Sequence, residues 1–420
     1  MVEAVWRLPR DIVSDGYDQA LDILASQVEM TIHEYPTGRE CFTWVVPDKW
    51  TCREAWLETL DGERLFSYAD NPLHVMSYSE SVDQVVDRET LLKHLYTHPL
   101  LEDAIPFVFS YYKRRWGLAC SRRLKEALQN DHYRVRIDSE FTQGSLKVGE
   151  VVLPGESEQC FVLCAHLCHP RLVNDGLSGV VAGLQVMQEL VRRREKPRYT
   201  YRLVILPETI GSAAYLSHNQ HLIPLMKGGV FLEMLALPYP HALQRSYQGD
   251  SEMDRCAEII LRDLDPESWS DDFLKVILND ERMFNAPGVR CPMVSVSRVR
   301  PKGHAEYPHL EYHSDFDCIE RADFYRLQQS CDLLLAMIDA LERNCIPEPK
   351  FQGELFFSRF DFDYERLKSH LFEIMFRLDG ETDAVEIARA SGAPLELVFL
   401  CLEQMESNGL IEKASLQCVR

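Results

Sequence analysis

Positive charge is in short supply in this chain: 45 lysines and arginines face 66 aspartates and glutamates, a formal net charge of -21 over 420 residues. So acidic a chain repels phosphate backbones, which excludes nucleic acid and anionic membranes as default partners. Long hydrophobic runs are missing too. No stretch approaches the roughly 18 uncharged apolar residues that a membrane-spanning helix needs. The segment from Met1 to Ile12 mixes Glu3, Arg7, Arg10 and Asp11 with apolar residues. It lacks the apolar centre of an export signal, so a cytoplasmic protein is expected. The 13 cysteines include no CxxC pair, which excludes a zinc ribbon, and their scattered spacing reads as reduced thiols. Neither an internal repeat nor a low-complexity tract is present.

What is there is ordinary globular material. Hydrophobic residues make up 46% of the chain and charged residues 26%, enough to bury a sizeable core, and the length suits two or three domains. Helical spacing covers Asp11 to Met30. From Glu34 to Gly149 the chain reads as short β-like runs (Cys41 to Val46, Leu73 to Tyr78, Tyr133 to Ile137), punctuated by Pro47, Gly62 and Pro72, with one helix from Arg88 to Tyr96. From Val151 to Leu341 strand and helix patterns alternate. Strands are expected at Phe161 to Ala165, Tyr201 to Leu206 and Val230 to Leu232, and helices at Val180 to Arg193 and from Ser212. That alternation predicts an α/β sheet covered by helices, with ligands at the carboxyl ends of its strands. Three helical stretches, Tyr364 to Arg377, Asp383 to Ala390 and Leu395 to Asn408, precede Gly409 to Lys413. This is the layout of a winged helix-turn-helix. Its second helix holds Glu396, Glu403 and Glu406 and no Lys or Arg, so packing or dimerisation is expected of it rather than DNA reading.

Four segments carry metal-ligand chemistry. The first expected core strand delivers His166, followed by His169 and, nine residues after His166, by Asp175 in the turn Asn174-Asp175-Gly176-Leu177-Ser178-Gly179. Imidazole and carboxylate suit zinc, and a carboxylate can bridge two ions. The second strand runs into Glu208 just before Gly211-Ser212, where an acid can take a proton from an activated water. The third leads to Glu233 inside an apolar run, where a charge must be paired or metal-bound. The fourth segment is Glu311-Tyr312-His313-Ser314-Asp315-Phe316-Asp317, with Asp317 placed to orient a histidine. Each residue alone also fits a structural role. The weight comes from four successive segments that present such residues where a strand gives way to a loop.

These motifs resemble the zinc aminopeptidase superfamily that includes bacterial leucyl aminopeptidases and glutaminyl cyclases. The match runs through His166, Asp175 before Ser178-Gly179, Glu208 before Gly211-Ser212, Glu233 and His313. A closer similarity is to bacterial aminopeptidase-like proteins that carry an inserted β-rich domain and a C-terminal winged helix. It rests on Ser110-Tyr111-Tyr112-Lys113-Arg114-Arg115-Trp116-Gly117, His166 to Gly179, and Pro207 to Ser212. The resemblance implies an α/β fold with a mixed, mostly parallel sheet sandwiched by helices. It implies a core of residues 1–33 and 150–345, an inserted domain of 34–149 and a winged helix of 346–420. It also implies one or two zinc ions. His166 and Glu233 would bind one, Asp175 would bridge toward a second that His313 also binds, and Glu208 would be the general base. His169 and Asp317 would be ligands or would orient ligands, with an orienting role favoured for His169. The pattern departs from the superfamily at Thr209, where a second glutamate is usual, and at Cys168, where an aspartate is frequent.

The function implied is an aminopeptidase-like zinc hydrolase acting on an amide of a small peptide or aminoacyl compound. The alternatives are an acyl-transfer or cyclising enzyme, or an impaired binding protein, on the same fold. Asp280 and Glu281 are candidates to hold a substrate amine, and Arg282 or the Arg114-Arg115 pair to hold a carboxylate; surface ion pairing fits the arginines equally. No nucleic acid and no membrane partner is expected, and self-association as a homo-oligomer is left open.

Overall fold

The computed structural model describes residues 1–414. An eight-stranded mixed sheet forms its centre. In chain order the strands are β1 (Thr31–Pro36), β2 (Ser145–Leu153), β3 (Cys160–His166), β4 (Thr200–Leu206), β5 (Met226–Leu232), β6 (Ala242–Gln244), β7 (Trp269–Asp271) and β8 (Met293–Ser297). Side by side they run β1-β2-β4-β3-β5-β8-β6-β7. The middle four, β4-β3-β5-β8, are parallel, while β1 and β2 pair antiparallel at one edge. Every residue of β3 is buried, which is why its sequence is apolar without alternation.

Five helices pack on this sheet or beside it: α1 (Asp15–Ala25), α2 (Leu177–Arg193), α3 (Ile210–His218), α4 (Glu252–Leu264) and α5 (Phe324–Arg343). The α/β fold expected from the alternation is therefore present. Helix α1 starts later than Asp11, because the Ser14 hydroxyl accepts the Tyr17 N–H and caps it, while Arg10 and Asp11 turn into the interior. Helix α2 approaches the end of β5 so closely that a Cβ on Gly179 would lie 1.9 Å from the Leu232 carbonyl oxygen. No larger residue fits there.

Between β1 and β2 the chain builds a four-stranded antiparallel sheet from Lys49–Thr59, Arg64–Ser67, Val82–Asp87 and His132–Thr142. Because Thr31 to Pro36 pair with Glu150 to Ser145, residues 34–36 and 145–149 belong to the large sheet. Two runs expected to be strands differ. Leu73 to Tyr78 begins as a 3-10 turn, Pro72–His74, capped by the Asn71 side chain with Pro72 at its first position. Cys41 to Val46 folds back on itself as Glu40–Cys41 paired with Trp44–Val45, with Phe42 at φ 54 in the turn.

The C-terminal region contains α6 (Ala384–Ser391), α7 (Leu395–Ser407) and a ribbon in which Ile346–Pro349 pairs with Ile411–Ala414. The stretch expected as one helix, Tyr364 to Arg377, is two short ones, Tyr364–Leu367 and Leu371–Met375. Residues 415–420 of the winged helix expected over 346–420 lie outside the described residues. Among those described, no helix is long and apolar enough to cross a membrane.

Candidate metal centre

The parallel strands β4, β3 and β5 are neighbours, so their carboxyl ends open on one edge of the sheet. Strand β3 ends in His166, Glu208 follows β4 and Glu233 follows β5. All three arrive together for one reason: parallel pairing sets His166 opposite Leu206 and Cys164 opposite Phe231. Asp175 comes from the turn before α2. Gly176 makes that turn possible, with φ 96 and no space for a Cβ, which would lie 2.6 Å from the His166 carbonyl oxygen. Asp317 fastens the same turn. Its carboxylate accepts N–H groups of Asn174 and Asp175, each at 2.9 Å, and the Asn174 amide at 3.1 Å.

The side chains converge. His166 Nε2 lies 3.2 Å from Glu233 Oε2 and 3.4 Å from Asp175 Oδ1. His313 Nε2 reaches the other oxygen of Asp175 at 3.1 Å. His169 Nδ1 meets His166 Nδ1 at 3.0 Å, and His169 Nε2 lies 3.4 Å from Glu208 Oε2. Ligand atoms of His166, Asp175 and Glu233 form one compact group; His169, Asp175 and His313 form another; and His166, Cys168, His169 and Glu208 a third. Thus the predicted ligands His166, Asp175, Glu233 and His313, the base Glu208 and the flanking His169 and Asp317 come to one place.

Electrostatics fit a cation. His166, Asp175 and Glu233 are fully buried, and two carboxylates share one imidazole nitrogen. Burial first, then the carboxylates of Asp175 and Glu281, push Glu233 up to about 7, against the pull of His166. Burial opposes a charged His166, yet hydrogen bonds with Asp175, Cys168 and Glu233 hold it well above the usual histidine value. His169 moves the other way, because it is desolvated and faces His166, His313 and Arg10. Buried Asp175 Oδ2 and His169 Nε2 make no well-aligned hydrogen bond, although His313 and Glu208 stand 3.1 and 3.4 Å from them. Buried acids around a buried imidazole, with poorly satisfied polar atoms among them, are the surroundings a divalent ion compensates.

Glu208 stands at the rim with 28% of its side chain exposed. Desolvation raises its carboxyl, as do Asp175 and Glu233, while His166 and His313 oppose the shift. Its N–H donates to Cys168 Sγ at 3.1 Å, so the thiol ties Glu208 to the loop that follows β3.

Asp280 and Glu281 are buried within the framework. Asp280 Oδ1 accepts the Thr209 N–H at 2.8 Å and the Ser212 hydroxyl. Glu281 accepts the Asn279 N–H and the Gln244 amide. Arg282 donates to the Asn279 carbonyl at 3.0 Å, and Arg114 pairs with Asp48. These contacts are with the surrounding framework. Asn279 does reach the cluster itself: its amide donates to Glu233 Oε2 at 2.9 Å. It has no signature beyond lying next to Asp280. Also unannounced in sequence are Phe107 and Phe109, whose rings stand edge-on to His313 at 5.4 and 6.5 Å. Their place depends on the fold of the stretch between β1 and β2.

A family model described as a domain of unknown function, DUF4910, matches residues 1–344. The chain belongs to the DUF4910 family. A Clostridium acetobutylicum protein named "Putative polysaccharide biosynthesis protein with aminopeptidase-like domain" is 30% identical to this DUF4910 chain over 401 residues, 93% of this chain and 90% of that protein. A crystal structure of a peptidase, so designated provisionally, from Clostridium acetobutylicum superposes with a TM-score of 0.90 at 28% identity, covering 98% of this chain and 95% of the other. A zinc aminopeptidase from Bacillus subtilis shares the fold, with a TM-score of 0.60, 13% identity and 80% and 93% coverage.

Proposed function

We propose that this DUF4910 protein is a zinc-dependent, aminopeptidase-like hydrolase that cleaves an amide bond of a small peptide or aminoacyl compound. The observation that carries the reading is a partly exposed carboxylate, Glu208, beside a buried ligand group of His166, Asp175 and Glu233. An imidazole and two carboxylates fit zinc with an open position for water or substrate. His166, Asp175 and Glu233 would hold the zinc, which would supply Lewis acidity to activate a water and polarise the scissile carbonyl. Glu208 takes the proton of the attacking water and passes it to the leaving amine; desolvation raises its carboxyl above the ordinary value, which makes it a better proton acceptor. Asp317 keeps Asp175 aimed by holding its backbone, and Asn279 fixes Glu233. Phe107 and Phe109 stand edge-on to His313 and flank the cluster on that side.

The test is a panel of aminoacyl amides with and without a free α-amine. Glu208→Gln should keep its zinc and lose about 10²- to 10⁴-fold in turnover. Full activity in that variant removes Glu208 as the base. Conversion of an N-terminal glutaminyl substrate to a cyclic product without uptake of water would identify a cyclising enzyme instead.

A further inference from the structure

The two overlapping ligand groups, His166-Asp175-Glu233 and His169-Asp175-His313, share Asp175 and have the outline of a two-ion site. We infer that the protein nevertheless binds one catalytic cation per chain, because His166 and His169 share a proton that lets only one of them be a ligand; the inference rests on the metal-hydrolase reading above.

The argument is a proton count. The two Nδ1 atoms are 3.0 Å apart, and both rings are buried. Contact at that distance requires one hydrogen between two nitrogens, one donating and one accepting. A neutral imidazole that binds a cation through Nε2 carries its hydrogen on Nδ1. If both rings bound cations, two N–H groups would point at each other across 3.0 Å. One ring must therefore keep its Nδ1 lone pair and carry its hydrogen on Nε2, where it has none to offer a metal.

Geometry decides which ring. His166 Nε2 faces two carboxylates, at 3.2 and 3.4 Å, which complete a three-ligand set. With His166 as the ligand, its Nδ1–H donates to His169 Nδ1, and His169 presents an Nε2–H toward Glu208, 3.4 Å away. That nitrogen makes no well-aligned hydrogen bond, and the part-exposed Glu208 carboxylate is the acceptor it faces. His169 is then a positioning residue with two duties: it orients the metal-binding imidazole and it steadies the base. The second group is left with Asp175 and His313, too few for a tight site. His313, expected to bind a second ion, instead steadies Asp175 Oδ2 from 3.1 Å. Thr209, where the superfamily pattern has a second glutamate, agrees with the same count.

Titrating metal-free wild-type protein with Co²⁺, followed by its visible d–d bands and by elemental analysis after dialysis, reads the count directly. The expected result is saturation at one equivalent. Saturation at two equivalents overturns this inference and leaves the hydrolase reading intact. A wild type that binds no cation sinks both. His169→Asn should keep the single equivalent with about 10- to 100-fold weaker affinity, and lower kcat more than it changes KM. His166→Ala should bind none. The reverse, with cobalt lost in His169→Asn and kept in His166→Ala, assigns the proton the other way and also overturns the inference.

Discussion

Arg10 shows how a single side chain far from the site in sequence shapes it. Its guanidinium is fully buried and donates to the carbonyls of Leu167, His169 and Leu172 at 2.9, 2.7 and 2.9 Å. The turn that carries His169 is thus held by a residue from the start of the chain. Desolvation lowers Arg10 to about 10, a value at which it stays charged near neutral pH. Its neighbour Asp11 is buried with the Ser77 hydroxyl donating to it, and desolvation raises its carboxyl to about 6. The folded state therefore holds that proton more tightly than the unfolded chain does. Stability should fall as pH rises from about 4 to about 6, by an amount on the order of 2 kcal/mol, and then level off. Asp11→Asn keeps an acceptor for Ser77 and removes the charge. Urea unfolding at pH 4 and pH 8 should show the variant more stable than wild type at pH 8 and little different at pH 4. A variant destabilised at pH 8 would mean that the charged Asp11 is needed there.

The turn between β4 and α3 shows strain concentrated in one element. Thr209 is β-branched and sits at φ 61, a conformation that costs about 1–3 kcal/mol for such a residue. Its N–H is held by Asp280, and this contact sets the direction in which Glu208 leaves the strand. Sequence placed Asp280 as a possible anchor for a substrate amine; its hydrogen bonds make it a brace for the turn. Thr209→Gly should raise the melting temperature slightly, since relieved strain is offset in part by the entropy of the unfolded chain. It should also lower kcat, because Glu208 is less firmly aimed. A fall in melting temperature would show that the turn is not strained against its fold.

At the scale of the molecule, the stretch between β1 and β2 is coupled to the loop that carries His313. The Phe107 N–H donates to the His313 carbonyl at 2.7 Å, and Ile105 and Asp315 exchange bonds at 2.8 and 3.0 Å. The C-terminal helices are also docked on the core: Arg343 reaches Glu396 and Glu403 at 2.7 and 3.0 Å, and Arg255 reaches Asp383 at 2.8 Å. Beneath the exposed Arg343 pairs, which contribute little each, Val385, Ile387, Val398 and Leu402 are buried. A chain ended after Asn344, where the DUF4910 match stops, would expose the surface those residues cover. It should melt well below the full chain and aggregate at lower temperature, measured by light scattering during a thermal ramp. An unchanged melting curve would mean that the C-terminal helices form a separate unit.

Local chemistry alone made the alternating core, the apolar β3 and the ligand-type residues after its strands legible, because a buried parallel strand must be apolar throughout and a charge at its end needs a reason. The roles of those residues were another matter. His169 was readable as a ligand or as a brace until its ring met that of His166. Asp280 and Asn279 are adjacent in sequence, yet one holds a turn and the other holds Glu233. Distances between side chains brought together across the sheet limit which role each can take, and no pattern along the chain contains them.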